Sequence, residues 1–283
     1  MSVVRSRDGV EIAAHDLGGA SDAPVLLISH ATGFHGRVYQ PMVDSGLSER
    51  FHCVAPDLHG HGDSAGTPAQ ASDWSRFAGD VLAVVDNLGP AHVERPVYGF
   101  GHSMGGAALV LAELERAGTF AGLWLFEPIL PPRATFPFEG PNPMAEAAER
   151  RREVFESFDA AIENFSSKPP LSVFTPEAMR AYVEHGFAAQ PDGTVRLKCP
   201  GAVEAATFRG AATHHAFDRL PEVACPVVVG VGAPAVGPAM FAEGIVAALP
   251  AGRLLTFEHL GHFAPQESPA EIAASVTEAF STA

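Results

Sequence analysis

Short apolar runs alternate with amphipathic helical patterns along most of this 283-residue chain. The apolar runs cover residues 25–29, 52–56, 96–100, 123–126, 226–231 and 253–257. The helical patterns cover residues 73–88, 103–117, 238–249 and 268–280. Apolar strands that alternate with helices indicate an α/β fold, in which a parallel sheet lies between two helical layers. Two further runs, 2–7 and 10–16, are split by Asp8-Gly9 and predict a hairpin that begins a mostly parallel eight-stranded sheet.

The alternation stops between residues 131 and 218, where no convincing core strand is found. This interval contains two helical stretches, 144–164 and 175–187, and nine phenylalanines. It is too long for a loop and too poor in strands for a second α/β domain. We therefore predict one domain with core parts 1–130 and 219–283 and a helical cap insertion at 131–218. The phenylalanines are expected to pack the cap onto the core and to line a pocket.

The charge of the chain argues against nucleic acid as a partner. Eighteen lysines and arginines stand against 33 aspartates and glutamates, which gives a formal net charge of −15. Phosphate binding needs clustered positive charge. The one basic run, Arg150-Arg151-Arg152, lies among glutamates in a helical stretch and is predicted to be a solvated helix face.

Cysteine usage and hydropathy predict where the chain resides. Cys53, Cys199 and Cys225 cannot all pair and have no C-x-x-C spacing, which favours a reducing compartment and argues against a metal site. No cofactor is expected. Residues 1–19 lack the apolar segment of a signal peptide. The uncharged run 224–241 is interrupted by prolines and glycines, which predicts a strand, a loop and a helix start instead of a membrane span. We expect a cytoplasmic protein with no membrane partner, and a homodimer is left open.

The strongest chemical signal is Gly101-His102-Ser103-Met104-Gly105-Gly106. It matches the pattern G-x-S-x-G between a strand-like run and a helical pattern, which is the context that a nucleophile elbow needs. A sharp turn from strand to helix strains the serine backbone, and neighbours without side chains allow the close approach. The Ser103 hydroxyl is then held at a helix N-terminus, where backbone N–H groups stabilise a developing anion.

A serine nucleophile needs a base, and His262 has the best context among the thirteen histidines. It follows the predicted strand at 253–257 by a short loop and precedes the last helical pattern. The carboxyl ends of parallel strands meet at one edge of a sheet, so we expect His262 to lie beside Ser103.

Three segments together resemble the α/β-hydrolase superfamily. They are residues 101–106, the sequence Ala55-Pro56-Asp57-Leu58-His59-Gly60-His61-Gly62-Asp63-Ser64 and the sequence Gly261-His262-Phe263-Ala264-Pro265-Gln266-Glu267. The resemblance implies an α/β-hydrolase fold with Ser103 as nucleophile and His262 as general base. The segment His30-Ala31-Thr32-Gly33-Phe34 resembles the family's His-Gly-x oxyanion loop, with Ala31 where glycine is usual. This likeness implies that the backbone N–H groups of Thr32 and Met104 form the oxyanion hole.

The acidic member of the triad departs from the family pattern. The usual aspartate follows the seventh strand, but the loop 232–238 contains no carboxylate. Either the acid has moved or the site has only a dyad. Glu127 follows the strand at 123–126, where some family members carry their acid, and it preserves the order nucleophile, acid, base. We predict Glu127 as the acid, with backbone capping as its alternative role and Glu258 as a weaker candidate.

Other histidines and loop residues are candidates for contact with the substrate, although a packed or solvated histidine is the default interpretation. These candidates are His30, Gly33, Phe34, His35, His102, His214 and His215. His59 and His61 have a spacing that could bind metal, but no third ligand is evident, so structural hydrogen bonding is favoured. Asp57 and Asp63 are expected to hold the loop after the fourth strand.

These residues predict a serine hydrolase, of the carboxylic ester hydrolase type, that works through an acyl-enzyme. The phenylalanines of the cap predict a small or medium apolar acyl substrate. The same apparatus can hydrolyse carbon–carbon bonds of diketones, lactones or thioesters, and the sequence does not separate these reactions. A non-hydrolytic or ligand-binding member is the rival interpretation, because the usual aspartate is missing.

Overall fold

The computed structural model describes residues 1–89, 95–132, 141–211, 213–234 and 236–281. Its strands are β1 (Ser2–Arg5), β2 (Glu11–Gly18), β3 (Val25–Ser29), β4 (His52–Pro56), β5 (Val97–His102), β6 (Gly122–Phe126), β7 (Val154–Phe155), β8 (Phe187–Ala189), β9 (Val195–Leu197), β10 (Val227–Gly232) and β11 (Gly252–Phe257). Its α-helices are α1 (Gln40–Asp44), α2 (Pro68–Ala71), α3 (Ser75–Asp86), α4 (Met104–Glu115), α5 (Pro143–Glu149), α6 (Phe158–Ser166), α7 (Pro176–Gly186), α8 (Gly201–Gly210), α9 (Ala242–Ala248), α10 (Ala264–Glu267) and α11 (Pro269–Ser281).

Eight strands form one sheet in the order β1-β2-β4-β3-β5-β6-β10-β11. The first two pairings, β1 with β2 and β2 with β4, are antiparallel, and the pairings from β4 to β11 are parallel. The predicted mostly parallel eight-stranded sheet is therefore confirmed. The carboxyl ends of β5, β6, β10 and β11 lie at one edge of this sheet, which is where the candidate site forms.

Helices cover both faces of the sheet, as the apolar strands predict. Every residue of β3 and β6 is buried. Alternate residues of these strands contribute to two separate hydrophobic clusters, because successive side chains of a strand point to opposite faces. Val25, Leu27, Leu123 and Leu125 belong to the cluster that includes residues of α3, α4 and α9. Leu26, Ile28, Trp124 and Phe126 belong to the cluster that includes residues of α1 and α11.

The insertion is not purely helical, so this part of the prediction is wrong. Its described part contains four helices, α5 to α8, and also a small antiparallel sheet in the order β7-β9-β8. The predicted helix at 144–164 is split into α5, β7 and α6. Strands of two or three residues are too short to produce a readable alternation, which explains the error. Residues 133–140, with Phe136 and Phe138, lie outside the described residues.

The uncharged run at 224–241 contains β10 and a short 3-10 turn at Gly237–Phe241, in agreement with the predicted strand and helix start. Within the described ranges, no helix combines the length and the apolar character that crossing a bilayer requires.

Candidate active site

Ser103 lies in a sharp turn between the end of β5 and the start of α4. Its backbone angles are φ 55° and ψ −117°, and its amide donates a hydrogen bond of 2.9 Å to the Phe126 carbonyl. A Cβ atom added to Gly101 would lie 2.6 Å from the Cα of Gly106, so strand and helix approach too closely for a side chain there. The predicted strand, turn and helix around Ser103 are therefore present.

Ser103 and Glu127 share an unusual backbone conformation. Among the described residues, they are the two non-glycine residues with positive φ, 55° for Ser103 and 42° for Glu127. Such angles are costly for residues with a side chain and concentrate at functional sites, where the surrounding structure enforces them. The same conformational signal therefore marks the predicted nucleophile and the predicted acid.

Glu127 extends from the end of β6 to His262, which follows β11. Its Oε2 atom lies 2.5 Å from His262 Nδ1, and its Oε1 atom accepts a 2.9 Å hydrogen bond from the Gly232 amide. The carboxylate is 3% exposed, whereas the imidazole is 31% exposed. Because one carboxylate oxygen is held by the backbone, the other is oriented to accept the Nδ1–H proton of His262. The alternative role of backbone capping is present as well, on the second oxygen.

Ser103 and His262 line the same cavity at the carboxyl edge of the sheet. No direct hydrogen bond joins Ser103 Oγ to the imidazole in the described structure. Hydrogen bonds between catalytic groups are often long without substrate and shorten when it binds. Proton transfer between these two groups therefore stays a prediction.

The loop after β3 forms a tight turn that presents Thr32 to the cavity. The Phe34 amide donates to the Ala31 carbonyl over 3.1 Å, and Gly33 has φ 76°. Glycine is favoured where this turn has positive φ, at its third residue Gly33, and Ala31 at the first residue is not among the positive-φ positions. No acceptor for the Thr32 amide is found among the described residues. Met104 is the first residue of α4, so its amide also lacks an intrahelical acceptor.

His102 links the loop after β3 to the loop that carries His262 through hydrogen bonds. The Ala31 amide donates to Tyr39 Oη over 3.3 Å, Tyr39 Oη lies 2.9 Å from His102 Nδ1, and His102 Nε2 lies 2.8 Å from the His262 carbonyl. Burial lowers the pKa of His102 well below its usual value, so the ring is neutral. Its Nε2–H group donates to the backbone carbonyl of His262. His102 therefore orients the loop of His262 and does not line the cavity.

Two cavities meet at Ser103, His262 and Thr32. The narrow cavity, of about 300 Å³, is lined by Phe34, Phe165, Leu171 and Phe263 together with Arg151, Glu204, Lys168 and Tyr182. The wide cavity, of about 780 Å³, is lined by apolar residues that include Ile129, Phe208, Met240 and Phe241. Phe165 and Phe208 thus line a cavity, while Phe155 and Phe187 are buried inside the insertion.

The other predicted contact residues separate into two groups. Gly33 and Phe34 line the narrow cavity. His30 is fully buried, and burial lowers its pKa to about 3. His35 is buried against the Tyr182 carbonyl at 3.1 Å. His214 and His215 line a different cleft beside Trp74, and Ser103 is not among the residues that line this cleft. These histidines therefore have no place in the cavity of Ser103.

The histidines of the loop after β4 take part in structural hydrogen bonds. His59 Nδ1 lies 2.6 Å from Asp80 and His59 Nε2 lies 3.1 Å from Asp8, while His61 Nδ1 lies 2.9 Å from the His59 carbonyl. Within the described part of the chain, one cluster could hold a metal ion by geometry, formed by His15, Asp57 and Asp63. There the Asp57 carboxylate already accepts hydrogen bonds from His15 and from backbone amides.

The basic run contains a cavity-lining residue that sequence reasoning missed. Arg151 lies between α5 and β7, where it pairs with Glu204 of α8 and donates a 2.9 Å hydrogen bond to Tyr182 Oη. The prediction of a solvated helix face is therefore wrong for Arg151, although Arg150 and Arg152 are paired with glutamates at the surface. No signal in the sequence distinguishes the middle arginine, because its partners are distant along the chain.

The chain belongs to the alpha/beta hydrolase family, whose model matches residues 25–275. Human monoglyceride lipase is 36% identical over 106 residues, which cover 38% of this chain and 35% of that protein. The magnesium-chelatase 30 kDa subunit of Rhodobacter capsulatus is 38% identical over 95 residues, covering 33% of this chain and 32% of that protein. The matched part thus spans about a third of the length of these curated relatives.

Solved structures agree with the fold along the full chain. The crystal structure of E-2-(acetamidomethylene)succinate hydrolase superimposes with a TM-score of 0.79 at 20% identity, covering 100% of this chain and 99% of that chain. The predicted α/β-hydrolase fold is therefore confirmed.

Proposed function

We propose that this protein is a serine hydrolase that cleaves an ester-like acyl bond of an apolar substrate. The observation that carries the proposal is the hydrogen bond between Glu127 and His262, whose imidazole shares a cavity with Ser103. A carboxylate that holds Nδ1–H keeps Nε2 free to accept a proton and stabilises the imidazolium that forms. The partial matches to monoglyceride lipase support ester chemistry.

The reaction begins when Ser103 Oγ attacks the acyl carbonyl while His262 Nε2 takes the serine proton. The backbone N–H groups of Thr32 and Met104 bind the resulting oxyanion; each such donor contributes roughly 10²–10³ in rate. The intermediate collapses as His262 returns the proton to the leaving alcohol. Water then attacks the acyl-enzyme while His262 takes its proton, and His262 passes this proton to Ser103 Oγ as the bond to the acyl group breaks and the acid leaves.

The rival interpretation of a ligand-binding member depended on the missing aspartate after β10. Glu127 supplies a carboxylate to His262 from β6, which supports a catalytic role for the site. A carboxylate at this place serves ester, thioester, lactone or carbon–carbon hydrolysis equally well. The choice of an ester follows from the partial match to monoglyceride lipase.

A fluorophosphonate probe tests the nucleophile directly. We expect the wild-type protein to gain one covalent adduct, located on Ser103 by peptide mass spectrometry, because the probe reacts only with an activated serine. The Ser103→Ala variant should gain none, and His262→Ala should react far more slowly. A folded wild-type protein that resists the probe, or a Ser103→Ala variant that reacts equally, would contradict the proposal.

The wide cavity predicts a preference for longer acyl or alkyl chains. Each buried methylene contributes about 0.8 kcal/mol, so kcat/KM for nitrophenyl esters should rise by up to about fourfold per methylene until the cavity is filled. Ala211 lines this cavity, so Ala211→Phe should move the optimum to shorter chains. Ala69→Phe, at an exposed position of α2, is the matched control. Equal kcat/KM from acetate to decanoate would refute the preference.

A further inference from the structure

The narrow cavity contains a charged pair that connects two segments of the insertion. Glu204 of α8 accepts from Arg151 Nη1 through its Oε2 atom, and Arg151 Nη2 donates to Tyr182 Oη over 2.9 Å. The side chains are only 12% and 17% exposed for Glu204 and Arg151. The arginine therefore holds the carboxylate in one orientation while both line the cavity that contains Ser103.

The second oxygen of this carboxylate, Oε1, lies next to Gly33 in the loop after β3. Glu204 Oε1 has no hydrogen-bond donor among the described residues. A Cβ atom added to Gly33 would lie 2.5 Å from Oε1, which places this oxygen against the loop that carries Thr32. Glu204 Oε1 is not among the fully buried side-chain atoms without a partner, so water can reach it from the cavity. A donor on the substrate would replace that water with a charge-assisted hydrogen bond.

The surroundings of Glu204 decide which kind of donor fits. Apolar side chains, including Phe34, Leu171 and Phe263, form much of the wall, so electrostatic interactions are strong there. A carboxylate on the substrate would be repelled by Glu204. An ammonium group would approach Arg151 and Lys168, which line the same cavity. An uncharged hydroxyl group satisfies the free oxygen without either penalty.

The wide cavity shares Thr32, Ser103 and His262 with the narrow cavity, but none of the described residues that line it is an aspartate, glutamate, lysine or arginine. The two cavities thus suit the two halves of one amphiphilic molecule, a hydrocarbon half and a small hydroxylated half.

We propose that Glu204, oriented by Arg151, is a specificity-determining acceptor that selects esters with a hydroxyl group on one side of the scissile carbonyl and a hydrocarbon chain on the other. This inference rests on the proposed hydrolase function and adds the substrate class. The same carboxylate excludes esters that carry an anionic group in the narrow cavity.

Matched esters in two series test the proposal, one for each half of the substrate. The first series consists of the octanoate esters of ethane-1,2-diol, 2-methoxyethanol and hydroxyacetate, which carry a hydroxyl, a methoxy and a carboxylate group. The second series consists of octyl hydroxyacetate, octyl methoxyacetate and monooctyl succinate, which carry the same three groups on the acyl side. In one series, the wild-type protein should prefer the hydroxyl ester over the methoxy ester by about tenfold in kcat/KM, the value of one charge-assisted hydrogen bond. The Glu204→Met variant should lose this preference.

A gain of activity separates this role from simple damage to the fold. In Glu204→Met, Arg151 loses its internal counter-ion and faces the cavity with an unpaired positive charge. The carboxylate-bearing ester of the same series should therefore gain about tenfold in kcat/KM. Glu149→Met is the matched control, because Glu149 of α5 pairs with Arg209 of α8 at the surface, away from the cavity. Glu149→Met should change neither the preference for the hydroxyl ester over the methoxy ester nor the kcat/KM of the carboxylate-bearing ester.

Absence of a hydroxyl preference in both series overturns the proposal, as does an equal response of Glu204→Met and Glu149→Met. If the wild-type protein hydrolyses none of the esters and Ser103 resists the fluorophosphonate probe, the proposed function itself fails, and this inference with it. If Ser103 is labelled and the esters are hydrolysed, but Glu204→Met changes no ratio, only the role of Glu204 fails.

Discussion

Replacing Glu127 with glutamine is expected to lower kcat by about 10⁴, the effect of the equivalent change in serine proteases. Glutamine has the shape of glutamate and can still accept from the Gly232 amide with its oxygen. Its NH₂ group would then face His262 Nδ1, which must become an acceptor. The ring proton would move to Nε2, where it prevents His262 from taking the proton of Ser103. Steady-state hydrolysis of a nitrophenyl ester measures this loss.

Two other variants show whether the loss belongs to the carboxylate at this position. Glu127→Asp keeps the charge but is shorter by one methylene, so an intermediate rate is expected. Glu258→Gln should change kcat little, because Glu258 is exposed on the loop after β11. A large loss in Glu258→Gln together with normal rates in Glu127→Gln would overturn the assignment of the acid.

Replacing Asp57 with alanine is expected to destabilise the fold by about 3–5 kcal/mol, because it leaves buried donors unpaired. The carboxylate is 1% exposed and accepts from His15 Nε2 at 2.9 Å and from the amides of Gly36 and Asp63 at 2.7 Å each. These bonds join β2, the loop after β3 and the loop after β4. Urea denaturation at neutral pH measures the loss as a lower midpoint of unfolding.

The pH dependence of this loss has a definite sign. Burial raises the pKa of the Asp57 carboxyl group. The hydrogen bond from His15 and electrostatic interactions with nearby histidines outweigh burial, so the net pKa lies below its usual range. The stability contributed by a carboxylate with a lowered pKa is complete above its unfolded pKa of about 3.9 and is lost on acidification. The difference between wild type and Asp57→Ala should therefore narrow below about pH 4. Asp63→Ala, which removes an exposed pair with Lys198, is the control and should cost under about 1 kcal/mol.

The strands and the nucleophile elbow could be predicted because their signals are local. The runs at 25–29 and 52–56 coincide with β3 and β4, since apolar runs bounded by turn residues leave little choice of register. The helical patterns at 73–88 and 103–117 contain α3 and α4, which begin and end within two residues of the predicted bounds. Ends are less certain because caps and tertiary contacts set them.

The insertion shows where local signals fail. Residues 144–164 have the composition of one helix, but α5 ends at Glu149 and the chain then pairs as β7 with β9. Arg151 lies in this break and turns towards Glu204, so its role depends on a partner 53 residues away along the chain. Neither the break nor the pairing has a period that a sequence pattern could reveal.

The sequence by itself determined the individual strands, the turn around Ser103 and the candidate residues Ser103, Glu127 and His262, because each of these signals lies within one short segment of the chain. Only the tertiary structure decided that Glu127 reaches His262, that His102 is a buried support and that Glu204 faces the cavity. Those facts depend on distances between residues far apart in sequence, and such distances are set by how strands and insertion pack against one another.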